Sequence, residues 1–146
     1  MKAVVQRVSR ARVTVGEDVI AEIGAGLCVL LGIARGDDGA KADRLAAKVA
    51  QLRVFENDEG RFDRSLVDVH GEAMVVSQFT LIADASRGNR PSFTEAAPPD
   101  EAEPLYEAFC EALQRDWGID VAKGVFGAYM ELELVNDGPV TILLEV

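Results

Sequence analysis

Apolar and polar residues alternate along the first third of the chain, the two-residue period of half-buried strands. Lys2–Val8 and Arg12–Val15 are rich in valine, Gly16-Glu17-Asp18 is a turn signal, and Val19–Ile23 returns as a hairpin partner. Leu27–Ile33 is apolar on both faces, which predicts a central, covered strand. The period then lengthens. Leu45, Val49 and Leu52 fall at helical spacing within Ala40–Arg53, and Ala42, Ala46, Ala47 and Ala50 allow close packing. Asp37 or Asp38 is available to cap that helix.

Leu52–Glu56 turns back into strand, Asn57-Asp58-Glu59-Gly60 reads as a polar tip, and Arg61–Val69 returns. Glu72–Leu81 is another apolar strand, with Ser77–Leu81 at its C-terminal end. Ala83–Pro99 is a long polar loop, and loops of this length in small domains are commonly functional. A second helix is expected from Asp100, with Leu105, Phe109, Ala112 and Leu113 on one stripe and Gly118 as its stop. Ile119–Ala122, Tyr129–Val135 and Val140–Val146 complete the strands. Between the last two, Asn136-Asp137-Gly138-Pro139 predicts a hairpin turn, because proline lacks an N–H and does not sit inside a paired strand. The pattern is one α/β, β-rich domain over residues 1–146. Strands outnumber helices, so a second sheet or a partner subunit must cover part of the sheet.

Composition narrows the classes. A chain of 146 residues fits one core. No apolar run approaches the about 18–20 residues of a membrane span, and the start has no signal-peptide pattern. Cys28 and Cys110 lack metal-ligand spacing and read as core thiols of a cytoplasmic protein. The net charge of −10 argues against nucleic-acid binding through a broad basic surface. It leaves open a protein that grips only one end of a nucleic acid. The basic residues fall in groups: Arg7, Arg10 and Arg12, then Arg87 and Arg90.

The polar end of an apolar strand, Ser77-Gln78-Phe79-Thr80, is a place where a rigid element can present chemistry. Strand alternation puts Ser77 and Phe79 on one face, Gln78 and Thr80 on the other. A hydroxyl nucleophile needs a base. The one histidine, His70, lies in the turn Asp68-Val69-His70-Gly71, and no GxSxG elbow surrounds Ser77, so a Ser-His-Asp hydrolase is disfavoured. The plain alternative is a strand end whose hydroxyls bond neighbouring backbone. No metal-ligand or nucleotide-binding spacing is present, and no metal or cofactor is expected.

Ser77-Gln78-Phe79-Thr80-Leu81, taken with Asn136-Asp137-Gly138-Pro139-Val140-Thr141, resembles the signature pair of the D-aminoacyl-tRNA deacylases. The opening strand Met1–Val8, Leu52–Glu56 with Gly60, and Arg87–Phe93 match that family in order and spacing, so the resemblance covers the whole chain. His70 stands where the family usually shows a small residue. The fold it implies has two β-sheet layers with the two helices packed on one side. The function it implies is a homodimeric cytoplasmic hydrolase for chiral proofreading in translation. Its substrate is the ester between a D-amino acid, or glycine, and the terminal adenosine of tRNA, with no DNA or membrane partner.

Ser77, Gln78, Phe79 and Thr80 then form the catalytic segment, with backbone N–H groups of Phe79 and Thr80 as oxyanion donors and Gln78 orienting. The resemblance implies that Gly138-Pro139 is a cis dipeptide inserted into the partner's site, where it rejects L-amino acids by crowding. Arg7 and Arg90 are the candidates for tRNA contacts, Arg10 and Arg12 weaker ones. No base is placed to activate Thr80, so water attack assisted by the substrate's 2′-hydroxyl is the expected chemistry. The rival readings are a non-catalytic tRNA-end binding module or a synthetase-associated editing module. A small-molecule serine esterase would need a base that the sequence does not supply.

Overall fold

A computed structural model describes residues 1–146. Its frame is two long antiparallel strands, β1 (Lys2–Val15) and β8 (Glu131–Glu145), paired along nearly their whole length. The two strands predicted over Lys2–Val8 and Arg12–Val15 are one, because register shifts between Gln6 and Arg10 absorb the break in the pattern. On its other edge β1 pairs first with β3 (Gly26–Gly32) and then with β2 (Asp18–Ile23). β3 continues the sheet through parallel pairing to β6 (Glu72–Ser77), and β6 through parallel pairing to β7 (Val121–Lys123).

Parallel neighbours need crossovers, and the two helices lie in them. Helix α1 (Gly39–Gln51) follows β3, and α2 (Pro99–Trp117) follows β6. Asp38 caps α1 by accepting the Lys41 N–H at 2.9 Å. Asp37, the other candidate, is buried instead against the Met1 ammonium at 2.8 Å. Gly118 ends α2 in the left-handed conformation at φ 65°. Both helices cover one face of the sheet, where Leu45, Val49, Phe109 and Leu113 pack with Leu27, Val29, Leu31 and Val75. The buried stripe of α2 includes Tyr106, whose hydroxyl donates to the Val75 carbonyl at 2.8 Å, while Leu105 is only half-buried.

The opposite face is covered by the sheet itself. It curls so that Ala11, Val13 and Ile23 lie with Cys28, Met74 and Val76 in a second core. The alternation of β3 and β6 sends Val29 and Val75 to the helix side and Cys28 and Met74 to this one. The architecture is therefore the expected β-rich α/β domain, with two β layers and helices on one side.

Three elements differ from the pattern's forecast. Strand structure around the polar tip is confined to β4 (Phe55–Glu56) and β5 (Phe62–Arg64), since Ser65 and Asp68 exchange side-chain and backbone hydrogen bonds that close a turn. β6 stops at Ser77, and Phe79–Leu81 is a 3-10 turn. The predicted hairpin at Asn136–Pro139 does not exist. β8 runs straight through, and both of its halves pair with β1. No helix is long and apolar enough to cross a membrane.

Candidate active site

β6 delivers the Ser77–Thr80 segment and then releases it. Ser77 is its last paired residue, opposite Leu31, and the Gln78 N–H still donates to the Leu31 carbonyl at 2.8 Å. The next residue of β3 is Gly32, and the missing side chain there is what lets the chain turn. A Cβ at Gly32 would stand 2.9 Å from Leu81 Cβ and 3.1 Å from the Gln78 carbonyl oxygen. The turn closes through Leu81 N–H to Gln78 O at 3.2 Å and Ile82 N–H to Phe79 O at 2.9 Å. Its opening N–H groups, at Phe79 and Thr80, take no part in those bonds, the usual condition of a helical N-terminus. Because the strand has ended, the predicted alternation of faces does not continue past Ser77. The Gln78 side-chain amide donates to the Thr80 hydroxyl, which is exposed.

Ser77, Gln78 and Phe79 line a cavity of about 590 Å³, whose other walls come from the residues around Phe93, the start of α2 and the segment Phe126–Met130. Thr80 is not among the lining residues. The lining is mostly apolar, and its one titratable side chain is Tyr129; it contains no carboxylate, imidazole or amine. Phe79 and Phe93 meet edge to face with centroids 5.2 Å apart at the rim. The sequence pattern did not single out Phe126, Tyr129 and Met130. Their signal is a glycine, Gly127, set among large apolar residues ahead of a strand, which is too common to be specific.

The second segment is a bulge. Gln6 pairs with Thr141 and Val8 with Asn136, so Asp137, Gly138, Pro139 and Val140 are looped out opposite the single residue Arg7. Gly138 has φ 128°, a region closed to other residue types, and the Gly138–Pro139 bond is cis. Arg7 holds the bulge in place. Its Nε donates to the Asp137 carbonyl at 3.0 Å and its Nη1 to the Val54 carbonyl at 2.7 Å, with the Asp137 carboxylate at 3.4 Å. The guanidinium also sits 5.6 Å from the centroid of the Phe62 ring. The Arg7 side chain is only 8% exposed. In place of the free guanidinium that a phosphate contact needs, Arg7 is a buried clamp between the bulge and the chain entering β4.

The two segments do not meet within one chain. Arg7 is level with Leu27 of β3 and Ser77 with Leu31, and β1 and β3 lie between β8 and β6. At about 3.3 Å per residue and 4.8 Å per strand, the bulge and the turn are roughly 20 Å apart.

A family profile described as D-Tyr-tRNA(Tyr) deacylase matches residues 4–145. The chain belongs to that family. It is 62% identical over 145 residues to a D-aminoacyl-tRNA deacylase of Roseiflexus castenholzii, covering 99% of this chain and 92% of the relative. It is 58% identical to one of Symbiobacterium thermophilum, with 99% and 95% covered. A solved structure described as a c-Myc DNA unwinding element binding protein superposes with a TM-score of 0.95 at 46% identity, over 100% of this chain and 99% of that one. Another, a probable eukaryotic D-amino acid tRNA deacylase, gives 0.87 at 16% identity over 99% and 98%, and shows the shared fold.

Set against this deacylase family, the remaining candidates separate clearly. Arg90 is exposed on the segment that also carries Phe93, whose base is tied by paired backbone hydrogen bonds between Asp84 and Ser92 at 2.8 Å. Arg12 is engaged with Glu22 at 2.8 Å and is not among the residues that line the cavity. His70 precedes β6, at the end opposite Ser77, in a left-handed turn at φ 52°. It therefore lies a strand's length from the Ser77 turn, outside the cavity. Burial pushes the Cys28 thiol up to about 11 and, with nearby Glu107, the Cys110 thiol up to about 12, so neither is a nucleophile near neutrality. What the site offers is a pair of backbone N–H groups opening a turn next to an apolar cavity whose lining has no carboxylate, imidazole or amine.

Proposed function

We propose that this chain hydrolyses the ester between a D-amino acid, or glycine, and the terminal adenosine of tRNA, and spares L-aminoacyl-tRNA. The observation that carries the chemistry is the Phe79 and Thr80 N–H pair opening the turn beside a cavity without a titratable base. Two backbone donors suit the oxyanion of a tetrahedral intermediate, and each such donor is worth about 3 kcal/mol in the transition state. Water is the nucleophile, and the substrate's 2′-hydroxyl takes part in moving its proton. Gln78 orients the carbonyl side of the substrate. The Thr80 hydroxyl, partnered by an amide and by no base, is a positioning group. Arg90 meets the phosphates of the acceptor end.

Selection against L-amino acids is assigned to Gly138 and Pro139 of a second subunit. The separation of the bulge from the turn in one chain supports a homodimer, in which the bulge of one copy enters the cavity of the other. Main-chain atoms there crowd one substituent position on the α-carbon, leaving room for hydrogen or for a D side chain directed outward. A translation-proofreading enzyme of this kind works in the cytoplasm.

Purified protein should release free tRNA from D-tyrosyl-tRNA and leave L-tyrosyl-tRNA intact; equal rates on the two would sink the chiral reading. Binding without release would mark a tRNA-end binding module. Ultracentrifugation at micromolar concentration should give about twice the chain mass, and a fully active monomer would contradict the shared site.

A further inference from the structure

Three of the four large aromatic side chains that remain exposed, Phe79, Phe93 and Tyr129, line the same apolar cavity. They are not equivalent. Phe79 and Phe93 lean on each other edge to face, whereas Tyr129 has no aromatic partner and is 90% exposed. It lines the cavity yet remains almost wholly exposed. The segment that bears it is ordered: Ala128 N–H bonds the Val125 carbonyl at 3.1 Å, Gly127 turns at φ 78°, and Phe126 packs inward beside Tyr106. An exposed ring on a hydrogen-bonded turn beside an apolar cavity is a stacking surface for a flat partner.

We propose that Tyr129 is the platform on which the base preceding the terminal adenosine stacks when the acceptor end enters the cavity, an inference that rests on the deacylase reading. The unpaired end of a tRNA offers its next base within one nucleotide of the bound adenosine. Single-stranded nucleic acids are held by aromatic faces and a few basic contacts rather than by base-edge hydrogen bonds. Arg87 and Arg90, exposed on the segment that also brings Phe93 to the cavity wall, are the basic side chains available to an entering strand. Stacking binds ground state and transition state alike, so its loss raises KM and leaves kcat unchanged.

The test measures kcat and KM for the wild type, Tyr129→Phe and Tyr129→Ala on D-tyrosyl-tRNA and on the D-tyrosyl ester of adenosine alone. Tyr129→Ala should raise KM for the tRNA about tenfold at unchanged kcat, with Tyr129→Phe close to wild type. On the adenosine ester, which has no penultimate base, Tyr129→Ala should raise KM far less than it does on the tRNA. A tRNA lacking only the penultimate base should be used by the wild type as poorly as the intact tRNA is by Tyr129→Ala. Equal losses on both substrates, no loss on either, or dissociation of a dimer by Tyr129→Ala would each overturn the proposal, the last because it would mean that a second subunit covers the ring. A wild type that turns over neither substrate would overturn the deacylase reading and this inference with it.

Discussion

The turn that carries Phe79 and Thr80 and the bulge that carries Gly138 and Pro139 are fixed by opposite means. The turn is seated by an absence. Gly32 withdraws a side chain from β3, and a backbone bond from Gln78 to Leu31 ties the exposed segment to the sheet. The bulge is seated by a presence, a buried guanidinium that bonds the Asp137 and Val54 carbonyls at once. The first faces its own chain's apolar cavity; the second is exposed at its tip and aimed at nothing in its own chain. An element that works within its own fold can be positioned by packing alone. An element that its own chain leaves exposed has no packing partner on its outer side, so it needs a clamp from behind.

That contrast can be broken at several points, from the largest effect to the smallest. The chemistry assigned to the turn comes from backbone and substrate, so a D-tyrosyl-tRNA ending in 2′-deoxyadenosine should be hydrolysed about a thousandfold more slowly. Single-turnover rates on the two substrates decide this, and comparable rates would require a protein base that the cavity does not contain. Releasing the clamp comes next. Arg7→Ala should cost about 2 kcal/mol in denaturant unfolding and about a hundredfold in turnover, because a displacement near 1 Å already has a cost of that order. Arg7→Lys should not restore activity, since an ammonium cannot bond two carbonyls in the geometry of the planar fork.

The seat of the turn should be more forgiving. Gly32→Ala pushes against Leu81 and the Gln78 carbonyl, and kcat should fall about tenfold with KM little changed. Gly39→Ala, where an added Cβ meets nothing, is the matched control and should leave kinetics unaltered. Thr80→Val should lose at most about tenfold, the value of one hydrogen bond, and mass spectrometry should find no acyl group on Thr80 of the wild type. His70→Ala should change neither kcat nor its pH profile, as His70 lies at the far end of β6 from the turn.

Much of the fold was legible because period and composition are local. Leu27–Ile33 as a covered central strand, a cap at Asp37 or Asp38, the Gly118 stop and the strand pair around Gly16 all follow from residues within a few positions of one another. The polar tail of β6 was also readable as the place where the strand ends, and the structure sets that end beside a cavity. The hairpin forecast at Gly138-Pro139 failed for a definite reason. Proline forbids one ladder bond, and a chain can meet that constraint either by turning back or by bulging out and resuming its course. Nothing within the segment distinguishes the two. The choice depends on β1, a strand more than a hundred residues earlier, long enough to pair with both sides of the interruption.

Arg7 teaches the same lesson about charge. As a letter in the sequence it is one of several arginines near the start, equally suited to a phosphate. Only the register of β1 against β8, and the position of Val54 beneath it, turn it into a buried clamp. The sequence by itself determined most of the strands and both helices and the glycine that stops α2, since these depend on intrinsic backbone and side-chain properties. Tertiary structure decided that the Ser77 turn opens beside an apolar cavity, that Tyr129 stands bare on its rim, and that Gly138-Pro139 is held away from that cavity. Those facts are relations between residues distant in sequence, and only the packing of the whole chain determines them.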